Sequence, residues 1–260
     1  MPADEALHPV AAHNDGDTAN VDSSTLVVCI DGPSGSGKST VARGVARTLR
    51  LRYLDTGAMY RALTWAVLER NVNPTDVAAV LAVAATLDLD ISTNPVPGAG
   101  AVGEVAVAGH DVTAAIRLGA VTYAVSTVSA IPEVRRRMVA LQRSIIGAGG
   151  IVVEGRDIGT AVCPDAQVKV FLTASPEVRA VRRFAEDSDP AHRRDVATVE
   201  ADLARRDHLD STRVASPLNK APDAVVLDST TVDVESAVAF VVDLVARRLG
   251  AVTLAVSENE

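Results

Sequence analysis

A glycine-rich segment near the start of the chain constrains the fold more than any other feature of the sequence. Residues 32–39 read GPSGSGKS and match the phosphate-binding pattern G-x-x-x-x-G-K-[ST]. An apolar, β-branched stretch at 25–31 precedes the segment, and a helical pattern from Lys38 to Leu49 follows it. This order of strand, glycine-rich turn and helix lets several backbone N–H groups and a helix N-terminus point at a polyphosphate. The sequence therefore predicts a nucleoside triphosphate site.

The polar residues of this segment indicate how the triphosphate is used. Lys38 can reach the transferred phosphate as a point charge, and the Ser39 hydroxyl can ligate Mg²⁺. We therefore expect Mg²⁺ as the cofactor, with ATP as co-substrate. The residues predicted to bind ATP are contiguous: Gly32, Pro33, Ser34, Gly35, Ser36, Gly37, Lys38, Ser39 and Thr40.

Strand-like and helical segments alternate along most of the chain. Further strands are expected at 51–54, 151–153, 168–173 and 224–227, and a helical pattern follows each of them except 151–153. This alternation predicts an α/β fold, in which a P-loop kinase core has a parallel sheet flanked by helices.

A β-hairpin is predicted where this alternation is interrupted. Residues 87–91 and 104–108 alternate in polarity as half-buried strands do, and a Pro/Gly-rich loop separates them. We assign the hairpin to a small inserted subdomain at about 87–130 and the kinase domain as a whole to 25–250. Residues 1–24 are expected to be a disordered extension and 251–260 a loose tail.

Composition and charge exclude several classes of protein. No apolar run approaches the ~20 residues that a spanning helix needs, and the acidic N-terminus lacks the pattern of a secretion signal. We expect a cytoplasmic monomer with no membrane partner. A net charge of −8 and few aromatic residues argue against binding a nucleic-acid polymer. The two cysteines are expected to be reduced thiols.

Arginine is unusually prominent for an acidic chain. Of 25 cationic residues only three are lysine, and the arginines cluster at 135–137, 179–183, 193–194 and 205–213. Base-composition bias accounts for much of this, but the clusters also suit a small anionic ligand, because guanidinium groups bind phosphate in a bidentate manner. The polar segment at about 184–196 is expected to act as a lid. Which of Arg179, Arg182 and Arg183 reaches the phosphates is left open.

Two further segments are candidates for the site of a phosphorylated acceptor. Thr56 can cap the helix that starts after the second strand, and Arg61 lies just over one turn into it. An ordinary capped helix with an exposed arginine is an equally good interpretation of this segment alone. Arg156 and Asp157 follow the strand at 151–153, where ligands of open α/β sheets bind. The competing interpretation is a structural salt bridge between these two residues.

Taken together, these motifs resemble those of the bacterial cytidylate kinases. The similar stretches are GPSGSGKST, LDTGAMYR, the hairpin insert, VEGRDIGTAVCPDA and RDHLDSTRVASP, and the resemblance runs from Leu26 to Leu249. It implies transfer of the γ-phosphoryl group of ATP to CMP or dCMP. Thr56 and Glu154 depart from the serine and aspartate that are common in the family. The resemblance implies catalytic roles for Lys38, Arg156 and Arg213, and an acceptor site made of Thr56, Arg61, Ser126, Arg135, Arg156, Asp157, Arg206, Asp210 and Arg213.

The roles implied for these residues agree with the chemistry of the substrate. Ser126, Arg135 and Asp157 would face cytosine, whose amino group can donate to Asp157. Other acceptors stay open as alternatives, namely UMP, dephospho-coenzyme A or shikimate, and a hydroxyl acceptor would favour Asp55 as a base. A further alternative, from another class, is a regulatory module that hydrolyses ATP slowly.

Overall fold

Strands and helices alternate in the computed structural model, which describes residues 24–94, 103–186 and 195–250. Within those residues the strands are β1 (Val27–Asp31), β2 (Arg52–Asp55), β3 (Leu89–Ile91), β4 (Val105–Val107), β5 (His110–Asp111), β6 (Ile151–Gly155), β7 (Val168–Thr173) and β8 (Val225–Asp228). The α-helices are α1 (Lys38–Thr48), α2 (Thr56–Glu69), α3 (Val77–Ala85), α4 (Gly119–Ala130), α5 (Pro132–Ile146), α6 (Pro176–Glu186), α7 (Val196–Thr212) and α8 (Val234–Arg248).

A five-stranded parallel sheet organises the molecule. Its strands lie in the order β2-β6-β1-β7-β8, and every neighbouring pair is parallel. Helices α2, α4 and α5 cover one face of the sheet, and α1 and α8 cover the other. On β6, Ile151 and Val153 point into the first core and Val152 into the second, as the two-residue period of a strand requires. The predicted α/β fold with a parallel sheet between helices is confirmed.

A small antiparallel sheet follows α3. Strands β3 and β4 pair with Leu89 opposite Val107, and β5 extends the sheet on the far side of β4. The predicted hairpin is therefore present. The third strand was not predicted, because a two-residue strand has no detectable alternation. The sheet, a single 3₁₀ turn and α4 together occupy most of the stretch from 87 to 130.

The other differences from the sequence-based prediction are local. Strand β6 runs on to Gly155, because Glu154 pairs with both Ile30 and Asp55. One wide helical turn at Ile158–Val162 follows β6 and had not been predicted.

Several predicted segments cannot be compared with the structure. Residues 1–23, 95–102, 187–194 and 251–260, which hold the extension, the tail and most of the expected lid, lie outside the described residues. Across the described ranges, none of the helices combines the length and apolar character needed to cross a membrane.

Candidate active site

The glycine-rich loop connects β1 to α1 at the carboxyl edge of the sheet. Gly32, Gly35 and Gly37 all have positive φ angles, of 150°, 77° and 89°. A Cβ atom on Gly32 would lie 2.0 Å from the Leu172 carbonyl oxygen, so only glycine fits there. Ser36 is buried and its hydroxyl donates to the Pro33 carbonyl at 3.0 Å. The loop is thus held in a tight turn against β7.

The polar side chains at the start of α1 differ in their exposure. Lys38 is buried, and its ammonium group donates to the Pro33 carbonyl at 2.6 Å. Burial, followed by the nearby Arg156, lowers the pKa of Lys38 to about 7. Ser39 is partly buried, whereas Thr40 is exposed on α1. A bound phosphate would favour the charged form of Lys38 again.

The start of α2 differs from the prediction in one respect. The capping residue is Asp55, whose Oδ1 accepts from the Ala58 N–H at 2.9 Å, and not Thr56. The helix starts one residue earlier than expected, so Thr56 is buried and its hydroxyl donates to the Glu154 carbonyl at 2.7 Å. Arg61 lies at this end of the helix, where it forms an ion pair of 3.1 Å with Asp55 Oδ2.

Asp157 lies between two buried arginines. Arg135 donates to its Oδ2, and Arg213 Nη2 lies 3.6 Å from its Oδ1. Arg135 is 2% exposed, and its guanidinium lies 5.2 Å from the centre of the Tyr60 ring. Ser126 is buried on the adjacent helix α4. Of the three residues for which the resemblance implied contact with the base, Arg135 and Asp157 are thus in direct contact, and Ser126 is buried on the neighbouring helix.

Asp210 connects this cluster to the P-loop. Its Oδ2 accepts from Arg156 Nε at 2.9 Å, and its Oδ1 lies 3.5 Å from Arg213 Nη1. Arg156 also donates to the Gly32 carbonyl at 2.8 Å. Arg156 and Asp157 therefore have different partners, and the competing interpretation of a salt bridge between them is wrong. The physical reason is that successive residues at the end of a strand point in different directions.

A group of buried polar atoms in this region has no hydrogen-bond partner among the described residues. Leaving such an atom unpaired typically costs about 1–3 kcal/mol, so their concentration indicates a site for a polar ligand. Burial, followed by repulsion from Arg156, also lowers the pKa of Arg206 to about 9. The atoms include Tyr60 OH, Arg61 Nε, Arg135 Nε, Arg206 Nε, Arg213 Nη2 and Glu154 Oε2, with Arg179 Nε and Asp207 Oδ1 nearer the P-loop.

Helix α6 brings two of its three candidate arginines against the P-loop. Arg179 donates to the Ser34 carbonyl at 3.1 Å. Arg182 donates to the Ser229 carbonyl at 2.7 Å, and its Nη1 would be 3.9 Å from a Cβ atom on Gly37. Arg183 instead pairs with Glu186 one turn further along the helix. Of the three, Arg179 and Arg182 thus lie against the P-loop, whereas Arg183 lies near Arg206.

Sequence reasoning assigned no role to two buried carboxyl groups beside the P-loop. Asp31 accepts from the N–H groups of Ile158 and Gly159 at 2.9 and 2.8 Å, and burial raises its pKa to about 6. Glu154 accepts from the Tyr53 hydroxyl, lies beside Ser39 and Lys38, and has its pKa raised by burial. Their positions at the ends of β1 and β6 could have indicated a role at the site, because both strands end at the P-loop edge of the sheet.

A P-loop at the end of the first strand, next to a cluster of buried arginines paired with Asp157 and Asp210, defines the class of P-loop phosphotransferases. Within that class the chain belongs to the cytidylate kinase family, whose sequence profile matches residues 28–247. The resemblance inferred from the motifs is thereby confirmed.

The alignments with curated relatives cover most of this chain and nearly the full length of each relative. A protein of Corynebacterium glutamicum named cytidylate kinase is 52% identical over 221 residues, which is 85% of this chain and 94% of the relative. A cytidylate kinase of Mycobacterium leprae is 50% identical over 232 residues, covering 87% of this chain and 98% of its own. One of Rhodococcus jostii is 50% identical over 229 residues, with coverages of 88% and 98%.

Proposed function

We propose that this protein transfers the γ-phosphoryl group of ATP to CMP or dCMP, giving ADP and CDP or dCDP. The observation that carries the proposal is the buried Asp157 between Arg135 and Arg213, next to the P-loop of a chain that belongs to this family. A carboxylate held between two guanidinium groups offers both acceptors and donors to a base. That arrangement suits cytosine better than any of the other acceptors considered.

The base is recognised by matched donors and acceptors. Asp157 accepts from the exocyclic amine, Arg135 donates to the ring nitrogen and carbonyl, and Ser126 adds a hydroxyl on the α4 side. Uracil carries an oxygen where cytosine has the amine, so Asp157 would face another acceptor. An unpaired buried polar group discriminates between substrates far better than a difference in apolar shape.

The arginines bind the acceptor phosphate and the sugar. Arg61 and Arg156 bind the phosphate, and Arg206 and Asp210 contact the sugar. Arg213 lies close to both Asp157, at the base site, and Asp210, at the sugar site. Its guanidinium group can therefore close over the acceptor phosphate. The Thr56 hydroxyl already donates to a backbone carbonyl, so it can contribute only as an acceptor of a hydrogen bond from the ribose.

The residues present fit Mg²⁺ with ATP. The Ser39 hydroxyl and the unpaired Glu154 Oε2 are hard oxygen donors, which Mg²⁺ prefers, and they lie beside the P-loop. When bound, the ion neutralises charge on the β- and γ-phosphates. Ser39 would ligate it directly, and Glu154 would accept from its water shell or ligate it.

Catalysis consists of positioning and charge neutralisation. An oxygen of the acceptor monophosphate is already anionic, so it attacks the γ-phosphorus without a general base, while the bond from that phosphorus to the β-phosphate oxygen breaks and ADP leaves. Lys38 and Arg156 stabilise the charge on the transferred group, and Arg179 and Arg182 lie near the P-loop from the side of α6. A hydroxyl acceptor would need a base, but Asp55 already caps α2 and pairs with Arg61, so the structure favours a phosphate acceptor.

An acceptor panel tests the proposal. Production of ADP from Mg-ATP is measured with CMP, dCMP, UMP, AMP, GMP, dephospho-coenzyme A and shikimate in turn. CMP and dCMP should stimulate the rate strongly, with UMP well behind. Stimulation by a different acceptor would reassign the substrate, and slow hydrolysis that no acceptor stimulates would indicate the regulatory module.

A further inference from the structure

A buried hydrogen bond joins two neighbouring strands directly below the P-loop. The Tyr53 hydroxyl donates to Glu154 Oε1 at 2.5 Å, and the two residues are 4% and 3% exposed. Nothing in the proposed reaction so far needs Tyr53, because it contacts neither the predicted base site nor the arginine cluster. A buried tyrosine hydroxyl that is committed to a single carboxylate oxygen calls for an explanation.

Strand geometry places both side chains on the face that carries α1. In the parallel pair of β2 and β6, Tyr53 is opposite Val152 and Asp55 is opposite Glu154. Tyr53 and Val152 both belong to the core beneath α1 and α8. Because side chains alternate along a strand, Glu154 shares that face with Val152. Its carboxyl group therefore points towards the first turn of α1, where Lys38 and Ser39 lie.

The hydrogen bond leaves one carboxylate oxygen for another role. Oε1 is occupied by Tyr53, whereas Oε2 is buried and makes no hydrogen bond of normal geometry with the described residues. A glutamate side chain has three rotatable bonds, so an unrestrained Glu154 would sample several positions for Oε2. The bond from Tyr53 holds the carboxyl group in one of them.

We infer that Tyr53 is a positioning residue, which holds the Glu154 carboxylate so that Oε2 faces the Mg²⁺ of Mg-ATP beside Ser39. The inference rests on the proposed use of Mg-ATP, but it does not depend on the identity of the acceptor. Partners of this kind orient metal-binding carboxylates, and their loss typically costs about 10- to 100-fold in metal affinity.

Calorimetry with a non-hydrolysable ATP analogue tests this inference without turnover. The dissociation constant of β,γ-imido-ATP is measured with excess Mg²⁺ and again in EDTA, and the ratio of the two constants reports the contribution of the metal. Tyr53→Phe keeps the ring and removes only the hydroxyl. We expect Mg²⁺ to strengthen binding of the analogue about tenfold less in this variant than in the wild type. The dissociation constant in EDTA should be unchanged.

Three comparisons separate positioning from a structural role. Tyr123→Phe is the matched control, because Tyr123 is exposed and its ring contact with Arg205 is kept. In a Glu154→Gln background, Tyr53→Phe should have no further effect on the ratio. Saturating Mg-ATP should restore the kcat of Tyr53→Phe, because the loss is one of affinity, with the KM for CMP unchanged throughout.

A wild-type metal-dependent ratio in Tyr53→Phe would overturn the inference. A Tyr53→Phe protein that is less stable but keeps the wild-type ratio would show that the hydroxyl only supports folding. If Tyr53→Phe does not fold, Glu154→Asp tests the same contact from the other side, because the shorter side chain cannot reach both Tyr53 and the metal. A wild-type ratio in that variant would contradict the inference. Absence of acceptor-stimulated turnover would overturn the proposed function but leave this calorimetric result intact.

Discussion

Replacement of Asp157 by asparagine tests whether this residue recognises the base or only holds Arg135 and Arg213 in place. The change preserves shape and one carbonyl oxygen but removes the negative charge between Arg135 and Arg213. Both arginine side chains are at most 4% exposed, so water cannot replace the lost charge. The variant should therefore affect stability and substrate selectivity, and the two effects can be measured separately.

The expected loss of stability follows from the burial of the cluster. Removing one partner of a buried ion pair typically costs about 3–5 kcal/mol. Arg135 keeps a hydrogen bond to the Ser129 carbonyl at 3.3 Å and its contact with the Tyr60 ring. We therefore expect the lower end of that range, about 3 kcal/mol in the free energy of unfolding from urea titration.

The expected loss of activity is specific to the cytosine nucleotide. A hydrogen bond to a charged group contributes about 1.5–3 kcal/mol, which corresponds to a decrease of roughly 10- to 150-fold in kcat/KM for CMP. The asparagine amide can instead donate to the oxygen of uracil, so kcat/KM for UMP should stay constant or rise. Hydrolysis of ATP without acceptor should stay close to wild type.

Steady-state ADP production with CMP, with UMP and with no acceptor measures all three quantities. Asp243→Asn on α8 is the matched control, because its carboxylate pairs with Arg247 at the surface. That variant should change neither stability nor selectivity appreciably. An equal decrease with CMP, UMP and no acceptor in Asp157→Asn would show that Asp157 is structural and would refute the account of cytosine recognition.

Two further variants test the P-loop and the buried carboxyl before it. Lys38→Ala should lower kcat at least about 10³-fold with little change in melting temperature, whereas exposed Lys220→Ala should behave as wild type; near-normal turnover in Lys38→Ala would contradict the P-loop assignment. The pKa of Asp31 is raised in the fold from 3.8 to about 6, so its contribution to stability is complete below pH 4 and is lost as the pH rises through 6. Between pH 5 and pH 7.5 the free energy of unfolding should therefore fall by about 1.4 kcal/mol more in the wild type than in Asp31→Asn, measured by urea titration, and parallel pH profiles would refute the shift.

The order of elements was predictable because each is encoded by neighbouring residues. The P-loop pattern, the strands that flank it and the hairpin at Leu89–Val107 all depend on local spacing, and the structure has them where the sequence predicted. The ends of some elements differ from the predicted ends by one to a few residues, because pairing with a neighbouring strand sets where a strand stops. Strand β6, for example, continues to Gly155, which pairs with Asp31.

Partners of individual side chains were not predictable in the same way. Asp55 rather than Thr56 caps α2 because the preceding strand ends in an extended conformation at Asp55. The bond between Tyr53 and Glu154 exists only because β2 and β6 are neighbours in the sheet, although 101 residues separate them. Sequence spacing carries no information about strand order, so such contacts need the folded structure.

Transfer of radioactive phosphate in a single turnover shows whether this protein passes the γ-phosphoryl group of ATP to CMP. The protein, in excess over ATP labelled at the γ-phosphate, is mixed with Mg²⁺ and CMP, and the products are separated by chromatography. We expect the label to appear in CDP, with little inorganic phosphate, and UMP in place of CMP to capture far less. Label released as inorganic phosphate at the same rate with and without CMP would contradict this expectation.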